Sequence, residues 1–214
     1  MGLAVGVGML AQYMGDEPDE AQNMRRDLDL INEMLRTRDL PEHHEPEQLD
    51  QPLITRASVT SFPYSWLHYL RRFAAHVMRD AKWVPYPVEP GEDPAQDPVL
   101  RQLYTKMSSH LLCHSDREGY YLPVDFDDLI LDKDHQITGG VVGSSHRLRD
   151  ELKTLTHQLE IELEDQERLS DDVAESLSRQ RPTDVPFATE RLVWLALWEA
   201  ARLSIERDTA IVFY

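Results

Sequence analysis

Between residues 17 and 38 the apolar positions Met24, Leu28, Ile31 and Leu35 recur at three- and four-residue steps with charges between them. That spacing predicts an amphipathic helix with one buried stripe. The helix ends at Asp39-Leu40-Pro41, because proline cannot continue it. A broader apolar face, formed by Trp66, Leu67, Leu70, Phe73, Ala74 and Val77, predicts a core helix over 64–80, with Arg71, Arg72 and Arg79 on its opposite side. Shorter patterns predict helices over 98–107 and 146–163. The last strong helix spans 187–206, where Trp194 and Trp198 stand four residues apart among leucines and read as a core stripe.

Between the helices the period changes. The β-branched residues Ile54, Thr55, Val59 and Thr60 predict a short strand within 53–62. Two β-prone runs, 109–115 and 120–126, flank the turn Asp116-Arg117-Glu118-Gly119 and read as a hairpin. A second hairpin or an edge extension is expected from 129–131 and 136–138, and a terminal strand from 209–214. The apolar run 1–11 is a strand or lead-in. It is shorter than the roughly 20 residues a spanning helix needs, and it lacks the basic start of a secretory signal. Proline-rich acidic loops at 39–52 and 83–97 and an acidic tract at 160–182 interrupt the pattern. The expectation is a single α+β domain over 1–214, with a small antiparallel sheet covered by four or five helices.

Charge changes the picture. The 214 residues carry 39 acids against 22 Lys and Arg, a formal net charge of −17. Nucleic acid and anionic membranes share that sign and are excluded as partners. The segments 39–50, 89–97, 116–134 and 160–175 together hold 24 of the acids and only three bases. Acidic loops of this kind confer solubility, and they also suit a basic surface on another protein. The densest segment makes Glu160, Glu162, Glu164, Asp165 and Glu167 the first candidates for contact. Asp116 and Glu118 of the predicted turn join them, with Tyr120 beside it as an aromatic anchor.

No residue pattern names a reaction. A single cysteine, Cys113, precludes an internal disulfide and suits a reducing cytoplasm. His110, Cys113, His114 and Asp116 do not converge on one ion if the segment is a strand, and on a helix the His110 and His114 pair lacks the Glu of the zincin arrangement, so no metal is expected. The aspartates between 125 and 134 lack the glycine and glutamate register of a calcium loop. Gly139-Gly140-Val141-Val142-Gly143-Ser144-Ser145 lacks the Lys-Ser/Thr ending of a phosphate loop, and Ser144 or Ser145 suffices as a helix N-cap. The chain reads as a non-enzyme without cofactor. The alternative is a small-molecule binder or enzyme using the 113–116 hairpin and the 139–145 loop.

The segments Tyr64-Ser65-Trp66-Leu67-His68-Tyr69-Leu70-Arg71-Arg72, Ser109-His110-Leu111-Leu112-Cys113-His114-Ser115-Asp116, Gly119-Tyr120-Tyr121-Leu122-Pro123-Val124-Asp125-Phe126 and Gly143-Ser144-Ser145, together with the ending 199–206 and 209–213, resemble a group of acidic bacterial proteins of about this length without assigned enzymatic activity. That group is similar in type to immunity proteins of polymorphic antibacterial toxins of the contact-dependent or type VI/Rhs kind. The resemblance implies a cytoplasmic immunity protein that neutralises a cognate toxin domain in a one-to-one complex, occluding its active site or substrate surface. A chaperone or adaptor for a secreted effector is the third reading.

Overall fold

The computed structural model describes residues 2–182 and 184–214. Six strands, β1 (Gly2–Val7), β2 (Ser61–Pro63), β3 (Gly119–Leu122), β4 (Ile130–Leu131), β5 (Val141–Ser144) and β6 (Ile211–Phe213), form one sheet in the order β2-β1-β6-β3-β5-β4. All neighbours are antiparallel except β3 and β5, which run parallel with Tyr120 opposite Val142 and Leu122 opposite Ser144. The fold is α+β as expected, but the sheet is a six-stranded mixed one and not a small antiparallel one.

The correction traces to the glycine-rich run. Its residues Val141–Ser144 form β5, and Gly143 lies beneath the ring of Tyr121, where an added Cβ would stand 2.3 Å from Tyr121 Cδ1. The glycine serves close strand packing and not a phosphate loop. Ser144 does cap the following helix, its Oγ accepting from Arg147 N at 3.3 Å.

Strand alternation sorts the core into two layers. Tyr121, Ile211 and Phe213 point toward α3 (Tyr64–Arg79), α6 (Ser145–Thr154) and α8 (Ala188–Arg207). Tyr120, Leu122, Val142 and Val212 point the other way, toward α1 (Met9–Asp16) and the apolar stripe of α2 (Pro18–Arg36). The short helices α4 (Pro98–Tyr104), α5 (His110–Cys113) and α7 (Asp171–Ser178) complete the first layer. Trp194 and Trp198 stack at 4.8 Å inside it, and the Trp194 indole donates to Leu152 O at 2.8 Å, so both are core residues. Among the described residues no helix is long and apolar enough to cross a membrane.

Local hydrogen bonds explain the other departures. Residues 109–113 form a helical turn and not a hairpin arm. Ser109 Oγ accepts from Leu112 N, and the Glu151 carboxylate takes Ser109 Oγ, His110 N and Leu111 N at 2.7–2.8 Å. β4 pairs with β5 and not with 136–138, because the Asp132 carboxylate closes the intervening turn by accepting from the backbone of Asp134, Gln136 and Ile137. Within 53–62 only Ser61 and Phe62 belong to a strand, and Ile54 is 74% exposed. The helix from Ser145 ends at Thr154, well short of 163.

Candidate functional site

The fold sorts charge by sign. Of the 39 acidic side chains 31 are exposed, against 13 of the 22 basic ones. Arginine is suited to the interior because its fork of donors satisfies backbone carbonyls, whereas a carboxylate must find donors. Arg71, expected on the outer face of α3, is buried and donates to Leu111 O, His114 O and Ser115 O at 2.7–3.3 Å. Arg72, also expected outside, is buried with Nε 3.3 Å from Asp97 and its guanidinium over the Tyr86 ring. Arg191 is buried against Leu159 O and Pro186 O.

Three acids with buried side chains are each held by several donors. Glu199, with a fully buried side chain, takes Arg56 Nη2 at 2.5 Å and Arg202 Nη2 at 2.8 Å. Burial alone would raise its pKa, but the hydrogen bonds from Arg202 and Arg56 prevail and hold it at about 2. Asp27 accepts from Tyr120 Oη at 3.1 Å and Thr138 N at 3.0 Å. Glu45 is spent on His43, Thr209 and Ala210.

On the surface, the residues singled out from the sequence meet different fates. In the 160–175 tract Glu160 pairs with Arg191 at 3.0 Å, Glu164 with Arg168 at 3.5 Å and Asp171 with Arg56 at 2.9 Å. Glu167 bonds Lys153 and Glu175 bonds Arg179. Four of those five bases lie outside the tract, so much of its apparent charge is neutralised across the fold. Glu162, Asp165 and Asp172 are exposed and stand in no ion pair among the described residues. Asp116 is half-buried against His68 Nε2 at 3.0 Å, and Glu118 is exposed. Tyr120 cannot be a surface anchor, because β3 is the central strand and its ring is buried beneath α2.

An acidic group passed over in the sequence reading lies at the junction of α1 and α2. Asp16, Glu17, Asp19 and Glu20 are all exposed and none is in an ion pair among the described residues. Four acids in five positions without a base was a legible signal, hidden because the run opens a helix. Asp19 and Glu20 also face the positive end of the α2 dipole. Elsewhere Glu89, Glu92 and Asp93 are exposed, while Arg147 is shared by Asp125 at 3.1 Å and Asp127 at 2.8 Å.

The groups considered for chemistry are employed structurally. Burial pushes the half-buried Cys113 thiol up, away from a reactive thiolate. His110 Nε2 lies 3.0 Å from Asp127 O while Nδ1 accepts from Ser144 N at 2.9 Å. His114 is enclosed against Tyr121 with ring centroids 4.0 Å apart, and burial pulls its pKa down to about 4. Among the described residues no group of three or more His, Cys, Asp or Glu is arranged to hold a metal.

A family model described as "Putative DNA-mimic protein" matches residues 1–213. The chain belongs to that family. No curated protein and no solved structure matches it.

Membership in the DNA-mimic family corrects two expectations. The family description points to imitation of DNA and not to neutralisation of a toxin, and nothing here supports an immunity protein or a link to type VI secretion. It also points to a DNA-binding protein as partner in place of a toxin, which is at odds with setting nucleic acid aside. Like charges repel DNA, but the same excess of carboxylates is what a copy of the phosphate backbone requires.

Proposed function

We propose that this protein offers its acidic surface to a DNA-binding protein in place of duplex DNA, and keeps that protein from its nucleic acid without chemistry of its own. The observation that supports this reading is the sorting of charge, with acids outside and arginines drawn inward. That separation makes a compact protein of mixed composition display a polyanionic exterior.

Magnitudes decide how much surface is needed. Duplex DNA carries a charge about every 1.7 Å along its axis. The 19 residues of α2 span about 28 Å, a length that would hold roughly 17 phosphates. The exposed acids of α2 are Asp19, Glu20, Asp29 and Glu33. One helix therefore falls well short, and the acids at Asp16 and Glu17 and in the loops must contribute to a broad field.

The test is displacement. Proteins retained from a cell lysate on the immobilised protein should release on addition of short duplex DNA, and should themselves bind that duplex in a filter assay. Retained proteins that resist a large excess of duplex would overturn the reading.

A further inference from the structure

A groove of about 900 Å³ lies between the turn after α6, helix α7 and the entry to α8. Its wall is apolar, with Val173, Leu177, Pro186 and Phe187, and its rim carries Glu160, Glu162 and Asp172. Val185, also lining it, is 45% exposed, and Val84, next to the lining Pro85, is 80% exposed.

Three further observations meet there. Gln158 and Gln180 line the groove, and each has a buried amide oxygen without a hydrogen-bond partner among the described residues. Buried acceptors of that kind are normally satisfied. Two lining residues, Glu160 at φ 55° and Phe187 at φ 64°, hold left-handed backbone, which is a true outlier for a bulky aromatic. Such backbone concentrates at functional sites. Arg191, whose guanidinium is fully committed to Leu159 O, Pro186 O and Glu160, fixes both strained segments from beneath.

We infer that this groove seats an amphipathic cationic helix of the protein partner, its apolar side chains against Leu177 and Phe187 and its Lys or Arg groups at Glu162 and Asp172. Charge complementarity selects the occupant. The two rim carboxylates without a basic partner call for cations, and the apolar wall calls for aliphatic side chains at helical spacing. Exposed ion pairs alone hold weakly, so an apolar seat supplies the slow dissociation that a diffuse acidic field lacks. The inference rests on the proposed function only for the class of protein that carries the helix.

The probe is a labelled synthetic helix with leucine and lysine at amphipathic spacing, compared by fluorescence anisotropy with a leucine-free peptide of equal charge. The leucine-bearing peptide should bind about tenfold tighter, and Val185→Asp should abolish that preference. E162Q/D172N should weaken both peptides. Because V185D adds negative charge, a purely electrostatic surface would bind either peptide as well or better. Equal binding of the two peptides, or an undiminished preference in V185D, overturns the seat. Residues 162, 172 and 185 are exposed, so circular dichroism melts should match the parent protein. Failure of duplex DNA to displace retained proteins would count against the proposed function and leave the peptide result standing.

Discussion

The Tyr120 hydroxyl donates to Asp27 Oδ2 at 3.1 Å, joining the central strand β3 to helix α2 inside the molecule. An aromatic expected to face a partner and a carboxylate that adds nothing to the exterior are thereby spent on one internal tie. Y120F should cost about 1.5–3 kcal/mol in urea unfolding, because the bond is to a charged acceptor. Duplex-displaceable binding should be unchanged. Weakened binding by a fully folded Y120F would contradict the interior role.

Glu199 connects charge to stability. Its folded pKa of about 2 lies below the ordinary 4.5, so its contribution is complete above pH 4.5 and is lost as pH falls toward 2. The shift corresponds to about 3 kcal/mol. E199Q should therefore be less stable at neutral pH, and the gap from the parent protein should narrow between pH 4.5 and 2 in chemical denaturation. A gap independent of pH would show that the Arg56 and Arg202 contacts are not ionic in their effect.

His114 acts in a different window. Its folded pKa of about 4 lies below the ordinary 6.5, so below pH 6.5 the unfolded chain takes up a proton that the folded one refuses. Stability from this group declines as pH falls from 6.5 to about 4. Its ring resonance in NMR should show no titration between pH 8 and 5. A midpoint near 6.5 would place the ring in solvent.

Two sets of four neutralisations separate accessible carboxylates from paired ones. D16N/E17Q/D19N/E20Q and E164Q/E167Q/D171N/E175Q change net charge equally, so both should slow association similarly at low salt. Only the first removes carboxylates without basic partners. It should weaken duplex-displaceable binding about tenfold or more, and the second several times less. Equal losses would show that ion pairing within the protein does not matter to the partner. The first set also removes charges facing the α2 dipole, at about 0.3–1 kcal/mol each, which melting curves would register.

Much of the fold was legible. The stripe of Met24, Leu28, Ile31 and Leu35 placed α2 within two residues of its observed ends, and the runs at 64–80 and 187–206 placed α3 and α8 as closely. Helix periodicity survives because it records one buried face. The short strands were not legible in the same way. Val141–Ser144 is buried on both faces, so it shows no alternation, and its glycine reads as a loop residue although it packs beneath Tyr121. Residues 109–113 depended on Glu151, some forty positions away, to cap a single turn.

By itself the sequence determined the sign and amount of charge, the main helices and the poverty of catalytic motifs, because composition and helical period are local properties. Only the tertiary structure decided which acids are available. Arg191, Lys153, Arg56 and Arg179 reach from elsewhere to neutralise a tract that looked the most exposed, whereas Asp16, Glu17, Asp19 and Glu20 stand without such partners among the described residues. Charge adds along a chain regardless of folding, but ion pairing requires side chains within a few ångströms, and that proximity is set by packing.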